Sequence, residues 1–370
     1  MSELVTIYSA ASGAGHIRAA DALVSAFNAD GIKAQQIEVL KYTNRVFRSV
    51  YSDLYKELVN KRPGILGWVY DSLDRPWQHQ KRRLTLDMLS AGKLVRMLVK
   101  DNPKIAICTH FLPAEILVYL RKKEVLDLQI GVVVTDIDAH AMWLYEGIDW
   151  YFVASEETKV YMSALGVPEN TIHVTGIPID PVFGKKRRKQ DMRRELGLDP
   201  DTITLLVSAG GFGMGPVEAL LQALLKIKHP VQLAVICGRN PQLEQRLHKM
   251  RQTRHPLKIV GFTNEMEKWM AASDLLVGKA GGLTSAEALA RGLVLAIVNP
   301  IPGQEERNSD HFLEEGVAIR CNNLPALAFK IDSLLSDKER FSKMRAASLR
   351  LSRPDAAREI VSIVSNGRLP

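Results

Sequence analysis

The sequence predicts an α/β protein made of two doubly wound domains, and three observations carry that prediction. The chain has 370 residues, too many for one ordinary hydrophobic core and enough for two. Short runs rich in β-branched residues alternate with longer helical patterns along its whole length. In each half the first such run leads directly into a glycine-rich turn that opens a helix.

The predicted strands are Leu4–Ser9, Ile105–Thr109, Ile130–Thr135, Trp150–Ala154 and Ile172–Thr175 in the first half. Ile203–Ser208, Val231–Cys237, Lys258–Val260, Leu275–Val277 and Leu295–Val298 follow in the second. They read as continuous apolar runs, the pattern of parallel strands covered by helices on both faces. Two such Rossmann-like domains facing across a cleft bind ligands in the loops that lead from strand ends into helix N-termini. The expected layout is a first domain over 1–180, carrying a basic aromatic insertion at 41–100, and a linker over 181–200. A second domain over 201–350 follows, then a C-terminal helix over 351–370 that packs back on the first domain.

Hydrophobic residues make up 46% of the chain and charged residues 24%, which excludes global disorder. Cys108, Cys237 and Cys321 lie far apart and match neither a zinc-ligand spacing nor a disulfide framework, so a reducing cytoplasm is expected. The N-terminal residues lack the basic start of a signal peptide, and no run approaches the roughly 18 apolar residues of a spanning helix.

The net charge of +8 is unevenly placed: residues 41–100 hold thirteen Lys/Arg against five Asp/Glu, an excess equal to that of the whole chain. Tyr42, Phe47, Tyr51, Tyr55, Trp68, Tyr70 and Trp77 are interleaved with them. Basic residues mixed with amphipathic aromatics suit an anionic lipid surface; a solvated helical insertion with its own aromatic core is the alternative. No nucleic-acid-binding signature is present.

Four stretches carry chemistry. Ser9-Ala-Ala-Ser-Gly-Ala-Gly-His16 follows the first strand, and the small residues at Gly13 and Gly15 let backbone N–H groups approach an anion at a helix start. A tight turn with a solvent-facing His16 is the structural alternative. Ser208-Ala-Gly-Gly-Phe-Gly-Met-Gly-Pro216 holds the matching place in the second half. Its four glycines in six positions exceed what a turn needs and suit a phosphate cradle. Pro216 stands where a dinucleotide fingerprint would have its third glycine, and no acid ends the next strand, which demotes an NAD-dependent oxidoreductase.

The third stretch runs from Gly278 through Gly281, Gly282, Thr284 and Glu287 to Gly292, and on through Asn299-Pro-Ile-Pro-Gly-Gln-Glu-Glu-Arg-Asn308. Glu287 lies one turn inside a helix, placed to accept hydrogen bonds from a vicinal diol such as a ribose. Gln304 and Glu305 open another helix, where an amide and a carboxylate bind sugar hydroxyls. Helix capping alone also favours acids in these places. In the fourth stretch, Thr135-Asp-Ile-Asp-Ala-His-Ala-Met-Trp143, Asp136 and His140 are acid–base or binding candidates and Trp143 a stacking platform. A structural Asp–His pair fits equally, and no third ligand suggests a metal.

These patches, in this order, resemble the monogalactosyldiacylglycerol synthase and processive diacylglycerol glucosyltransferase group of glycosyltransferase family 28, from Ser9 to about Arg320. The most specific signals are Gly-Lys-Ala-Gly-Gly-Leu-Thr with Glu287 and Pro-x-Pro-Gly-Gln-Glu-x-x-Asn; Thr-Asp-x-x-x-His-x-x-Trp and Gly176-Ile-Pro178 point to the diacylglycerol branch. The resemblance implies a GT-B fold, no metal or other cofactor, peripheral attachment to the inner face of the cell membrane, and inversion at the donor carbon. It assigns Gly211, Gly213, Met214 and Gly215 to the diphosphate of a UDP-sugar, and Phe262 to the neighbourhood of the uracil. Glu287 falls to the ribose, Gln304 and Glu305 to the sugar, and Asn308 belongs to the same motif. Gly13, Gly15, Asp136, His140 and Trp143 lie on the acceptor side, with His16 as the candidate base.

Two departures matter. Asp180 stands where many relatives carry an arginine able to contact phosphate, so that contact is lost or supplied by Lys185, Lys186 or another residue. Ala11 and Ala14 replace the acid and a glycine of the plant motif Asp-Thr-Gly-Gly-Gly-His, so no catalytic role of that acid transfers. The expected reaction moves a hexose from UDP-glucose or UDP-galactose to diacylglycerol, giving a β-glycoside. The alternatives are transfer to a polyprenyl-linked acceptor, a UDP-sugar-binding protein without turnover, and a UDP-sugar epimerase on the same fold.

Overall fold

The computed structural model describes residues 4–11, 13–44, 63–77, 91–211, 213, 216–250 and 254–367. The chain divides into two compact units. Unit 1 comprises Met1–Pro181, Pro302–Gln304 and Arg353–Pro370; unit 2 comprises Val182–Ile301 and Glu305–Ser352.

Unit 1 is built on β1 (Val5–Ser9), β2 (Ala34–Glu38), β3 (Ile105–Cys108), β4 (Gln129–Val133), β5 (Trp150–Val153) and β6 (Ile172–Val174). All pair in parallel in the order β2-β1-β3-β4-β5-β6. Among the described residues its helices are α1 (Ala14–Ala29), α2 (Pro63–Leu73), α3 (Gly92–Asp101), α4 (Phe111–Lys122) and α5 (Glu156–Ala164). The central strands are buried along their length because each is covered on both faces. β2 escapes a reading by apolar runs for the opposite reason. Its sequence AQQIE is half-buried throughout, as suits an edge strand, and its glutamines reach β1, Gln36 Nε2 donating to Ser9 Oγ at 2.9 Å and Gln35 Nε2 to Thr6 Oγ1 at 3.4 Å.

Unit 2 repeats the plan with β7 (Ile203–Ser208), β8 (Val231–Ile236), β9 (Leu257–Val260), β10 (Leu275–Gly278), β11 (Val294–Val298) and β12 (Ala318–Cys321). The order is β12-β11-β10-β7-β8-β9, again all parallel. β12, also at an edge and only 4 residues long, is the second strand that sequence pattern does not reveal. The helices are α6 (Lys189–Glu195), α7 (Val217–Leu224), α8 (Pro241–His248), α9 (Met266–Ala272), α10 (Gly282–Ala290), α11 (Gln304–Glu314), α12 (Leu327–Ser336) and α13 (Lys338–Leu351).

The stretch 181–200, expected as a linker, is folded into unit 2 from Val182 onward. Asp274 explains why. Its carboxylate takes the Lys189 ammonium at 2.5 Å, the buried Arg193 guanidinium and the Thr204 N–H at 2.8 Å, so Lys189, the last residue of the basic run, anchors α6 together with Arg193. Past Pro354 the chain forms α14 (Ala356–Asn366), which lies in unit 1. Ile360, Val361 and Val364 join Val5, Ile7, Leu23 and Phe27 in one buried cluster. The small faces of Ala19, Ala20 and Ala26 leave α1 little exposed beside it.

Among the described residues no helix is long and apolar enough to cross a membrane. Cys108, Cys237 and Cys321 are buried free thiols.

Candidate functional site

Parallel strand order places the loops that matter. In unit 1 the chain goes from β1 to β2 on one side and then crosses to β3 on the other, so the loops after β1 and β3 diverge at a switch point, the usual ligand position of open α/β sheets. His16 is fixed there. Its Nδ1 lies 2.8 Å from the Thr109 carbonyl oxygen and 3.0 Å from Thr135 Oγ1, while Thr109 Oγ1 donates to the His16 carbonyl at 2.9 Å. A carbonyl only accepts, so Nδ1 carries the proton and Nε2 the basic lone pair. Burial lowers the His16 pKa to about 4, which keeps the ring neutral at physiological pH. The His110 ring packs edge-on at 4.9 Å. Neither Gly13 nor Gly15 has a positive φ, and a Cβ on Gly13 would come no nearer than 4.0 Å to His16 Cδ2. Glycine at position 13 therefore leaves open space rather than supplying a special backbone conformation.

The Asp136–Trp143 stretch divides differently from expectation. Trp143 is 3% exposed and sits in the core cluster, its ring 6.0 Å from that of Phe111, so it is a packing residue and not an open stacking platform. His140 is equally committed. Nδ1 accepts the Met142 N–H at 3.1 Å and Nε2 donates to the Tyr70 carbonyl at 2.9 Å, while Asp74 accepts the Ala141 N–H at 2.9 Å. With both ring nitrogens in use, His140 docks α2 to this loop and has no nitrogen left for proton transfer. Asp136 is buried and accepts a hydrogen bond from Gln304 Nε2. Gly303 has φ +84, and a Cβ there would lie 2.5 Å from Tyr70 Cδ1, so the Pro-Gly turn before Gln304 requires glycine.

In unit 2 the switch point lies between β7 and β10. The loop after β7 is the glycine-rich one; Met214 and Gly215 lie outside the described residues. Gly213 has φ +62, and a Cβ there would meet the Cys237 carbonyl oxygen at 2.3 Å. Gly238, with φ +62, faces the Gly210 oxygen at 2.5 Å. Arg239 N–H donates to the Gly211 carbonyl at 3.1 Å and Asn240 Nδ2 to that of Gly213 at 2.9 Å. Part of the glycine content thus serves close packing of two loop backbones, a cause that motif reading did not supply.

Gly281 caps α10 without a side-chain bond, Gly282 begins that helix, and Thr284 on its first turn is half-buried. Glu287 is 1% exposed. Glu305 Oε2 accepts the Ile301 N–H at 2.7 Å, and its Oε1 would lie 3.7 Å from a Cβ on Gly281. Asn308 is fully buried, and its Nδ2 donates to the Ala280 carbonyl at 3.0 Å. It holds the α10 entry loop against α11 and so positions that loop from beneath. Phe262, 51% exposed, follows β9 with the Arg239 guanidinium 4.7 Å from its ring centroid. Thr109 and Arg239 are neighbours that the motifs do not include, and Thr135 opens the fourth stretch without a role of its own. Both threonines end predicted strands, a signal present in the sequence. Among the described residues no group of three His, Cys, Asp or Glu is placed to hold a metal ion.

Two parallel six-stranded α/β units of this order have the GT-B fold. The fold is matched by the S. aureus MnaA–UDP co-structure (TM-score 0.64, 12% identity, 98% of this chain and 96% of that one). The crystal structure of Acinetobacter baumannii MurG matches it too (TM-score 0.61, 13% identity, 99% and 100%). A model of monogalactosyldiacylglycerol (MGDG) synthase matches residues 16–179 and one of glycosyl transferases group 1 matches 188–350. A processive diacylglycerol beta-glucosyltransferase of Bacillus pumilus is 30% identical over 345 residues, 92% of this chain and 89% of its own. The chain belongs to this diacylglycerol glycosyltransferase group of family 28.

Proposed function

We propose that the protein transfers a hexose from UDP-glucose or UDP-galactose to diacylglycerol with inversion, at the inner face of the cell membrane and without a metal. The observation that carries this reading is the near full-length likeness to a diacylglycerol glucosyltransferase. The geometry supports it. His16, pinned through Nδ1, offers Nε2 to the acceptor hydroxyl as that oxygen attacks C1. The loop after β7 and the N-terminus of α7 offer backbone N–H groups and positive dipole to the departing diphosphate. Incubation with each UDP-sugar and diacylglycerol vesicles, read by mass spectrometry of the lipids, tests the reading; absence of a hexosyl-diacylglycerol would refute it.

Glu287 would take the ribose diol. Glu287→Ala is expected to weaken UDP about tenfold but 2′,3′-dideoxy-UDP much less, by calorimetry. Equal losses for both ligands would remove Glu287 from the ribose.

The α2 helix would seat the protein on lipid. Ile65 and Trp68 stand one turn apart and are 44% and 71% exposed, within the segment that holds the chain's basic excess. Replacing both with Ser is expected to weaken flotation with anionic vesicles roughly tenfold, with transfer to a short-chain soluble acceptor retained. Undiminished flotation would move the membrane contact elsewhere.

A further inference from the structure

Arg239 is the third residue past β8, on the edge of the unit 2 sheet from which the glycine-rich loop also leaves. The backbone leaves its position little choice. Gly238 takes φ +62 with the Gly210 oxygen 2.5 Å from where a Cβ would be, and the Arg239 N–H closes onto Gly211. The side chain is exposed. Four other arginines are held by carboxylates, Arg121 by Asp149, Arg193 by Asp274, Arg246 by Glu218 and Arg320 by Glu306 and Asp310, and others, such as Arg254 and Arg291, donate to backbone carbonyls. Arg239 has no carboxylate partner among the described residues and rests on the face of Phe262.

A guanidinium stacked on a ring keeps its in-plane N–H donors available, and their fork matches phosphate oxygens two at a time. A cation without a carboxylate, anchored by its own backbone to the loop that would cradle an anion, is a phosphate ligand in waiting.

We infer that the Arg239 guanidinium binds the diphosphate of the nucleotide donor, with Phe262 holding it ready beside the glycine-rich loop. This rests on the reading that unit 2 binds a nucleoside diphosphate sugar.

Calorimetric titration of the full chain with UDP and with uridine tests it. Arg239→Ala is expected to weaken UDP by roughly 10- to 100-fold and uridine by less than about threefold, and Arg239→Lys should recover part of the UDP affinity because charge returns without the fork. Equal losses for UDP and uridine would show that Arg239 supports only the nucleoside, and an unchanged UDP affinity would show no role; either overturns the inference. If the unaltered protein failed to bind UDP, the donor reading itself would fall and take this inference with it, whereas normal UDP binding by Arg239→Ala would leave that reading intact.

Discussion

Replacement of His16 by Ala is expected to lower kcat for hexosyl transfer by about 10²- to 10⁴-fold, the usual contribution of a positioned base. UDP affinity should stay within about twofold of the parent value, since the base acts on the acceptor. The effect is large because His16 is held rather than merely present. The Thr109 carbonyl fixes the tautomer, Thr135 Oγ1 lies beside the same nitrogen, and Thr109 Oγ1 ties the backbone of His16 to the end of β3. A pKa near 4 makes Nε2 a weak base. It takes a proton well only as the new C–O bond makes the attacking hydroxyl acidic, so proton transfer accompanies attack and does not precede it.

The pH dependence carries a definite sign. The His16 pKa in the fold is depressed to about 4 from an ordinary value near 6.5. Between those values the unfolded chain binds the proton that the folded chain refuses. The neutral ring therefore contributes nothing to pH dependence above about 6.5, and stability is lost as the pH falls from there towards 4. Log kcat/KM is expected to stay level down to about pH 5 and bend near 4, and His16→Gln should remove this part of the acid sensitivity of melting. Near-normal turnover by His16→Ala, or a limb centred near pH 6.5, would take His16 out of the mechanism.

How far the sequence disclosed the site follows from what each residue is asked to do. The eight interior strands are readable because burial on both faces demands unbroken apolar runs, and the edge strands β6 and β9, though only partly buried, keep enough β-branched residues to be read. β2 and β12, at the other two edges, are not, since β2 is largely polar and Arg320 interrupts β12. Gly281, Gln304 and Glu305 fall at helix starts, as capping and motif spacing predict. Spacing cannot tell a residue that faces a ligand from one that supports the loop. Trp143, His140 and Asn308 all carry the right chemistry in the right motif, yet each is consumed by packing or by hydrogen bonds to backbone. Arg239 shows the converse. Its significance depends on which groups fail to neutralise it, and pairing across the sheet is invisible in a linear pattern.

Gly213→Ala is expected to have the second large effect. Two independent penalties meet at that position. With φ +62, an alanine is strained wherever it stands, by about 1–2 kcal/mol. The added Cβ would also lie 2.3 Å from the Cys237 carbonyl oxygen and 2.6 Å from Asn240 Cβ. A backbone carbonyl cannot rotate away, so the loops after β7 and β8 must part, at a further cost of about 1–3 kcal/mol. Parting them breaks the Asn240 Nδ2 bond to the Gly213 carbonyl and moves the Arg239 N–H away from Gly211. Calorimetry should show a lowered melting transition and loss of most UDP affinity together. Gly210→Ala supplies the control, because Gly210 has φ +72 but nothing within 4 Å of its Cβ position; it bears the conformational penalty alone and should melt closer to the parent. If both variants lost stability equally, conformation alone would account for the glycines. If Gly213→Ala instead matched the parent in melting and in UDP binding, the close approach of the two loops would not exist in solution.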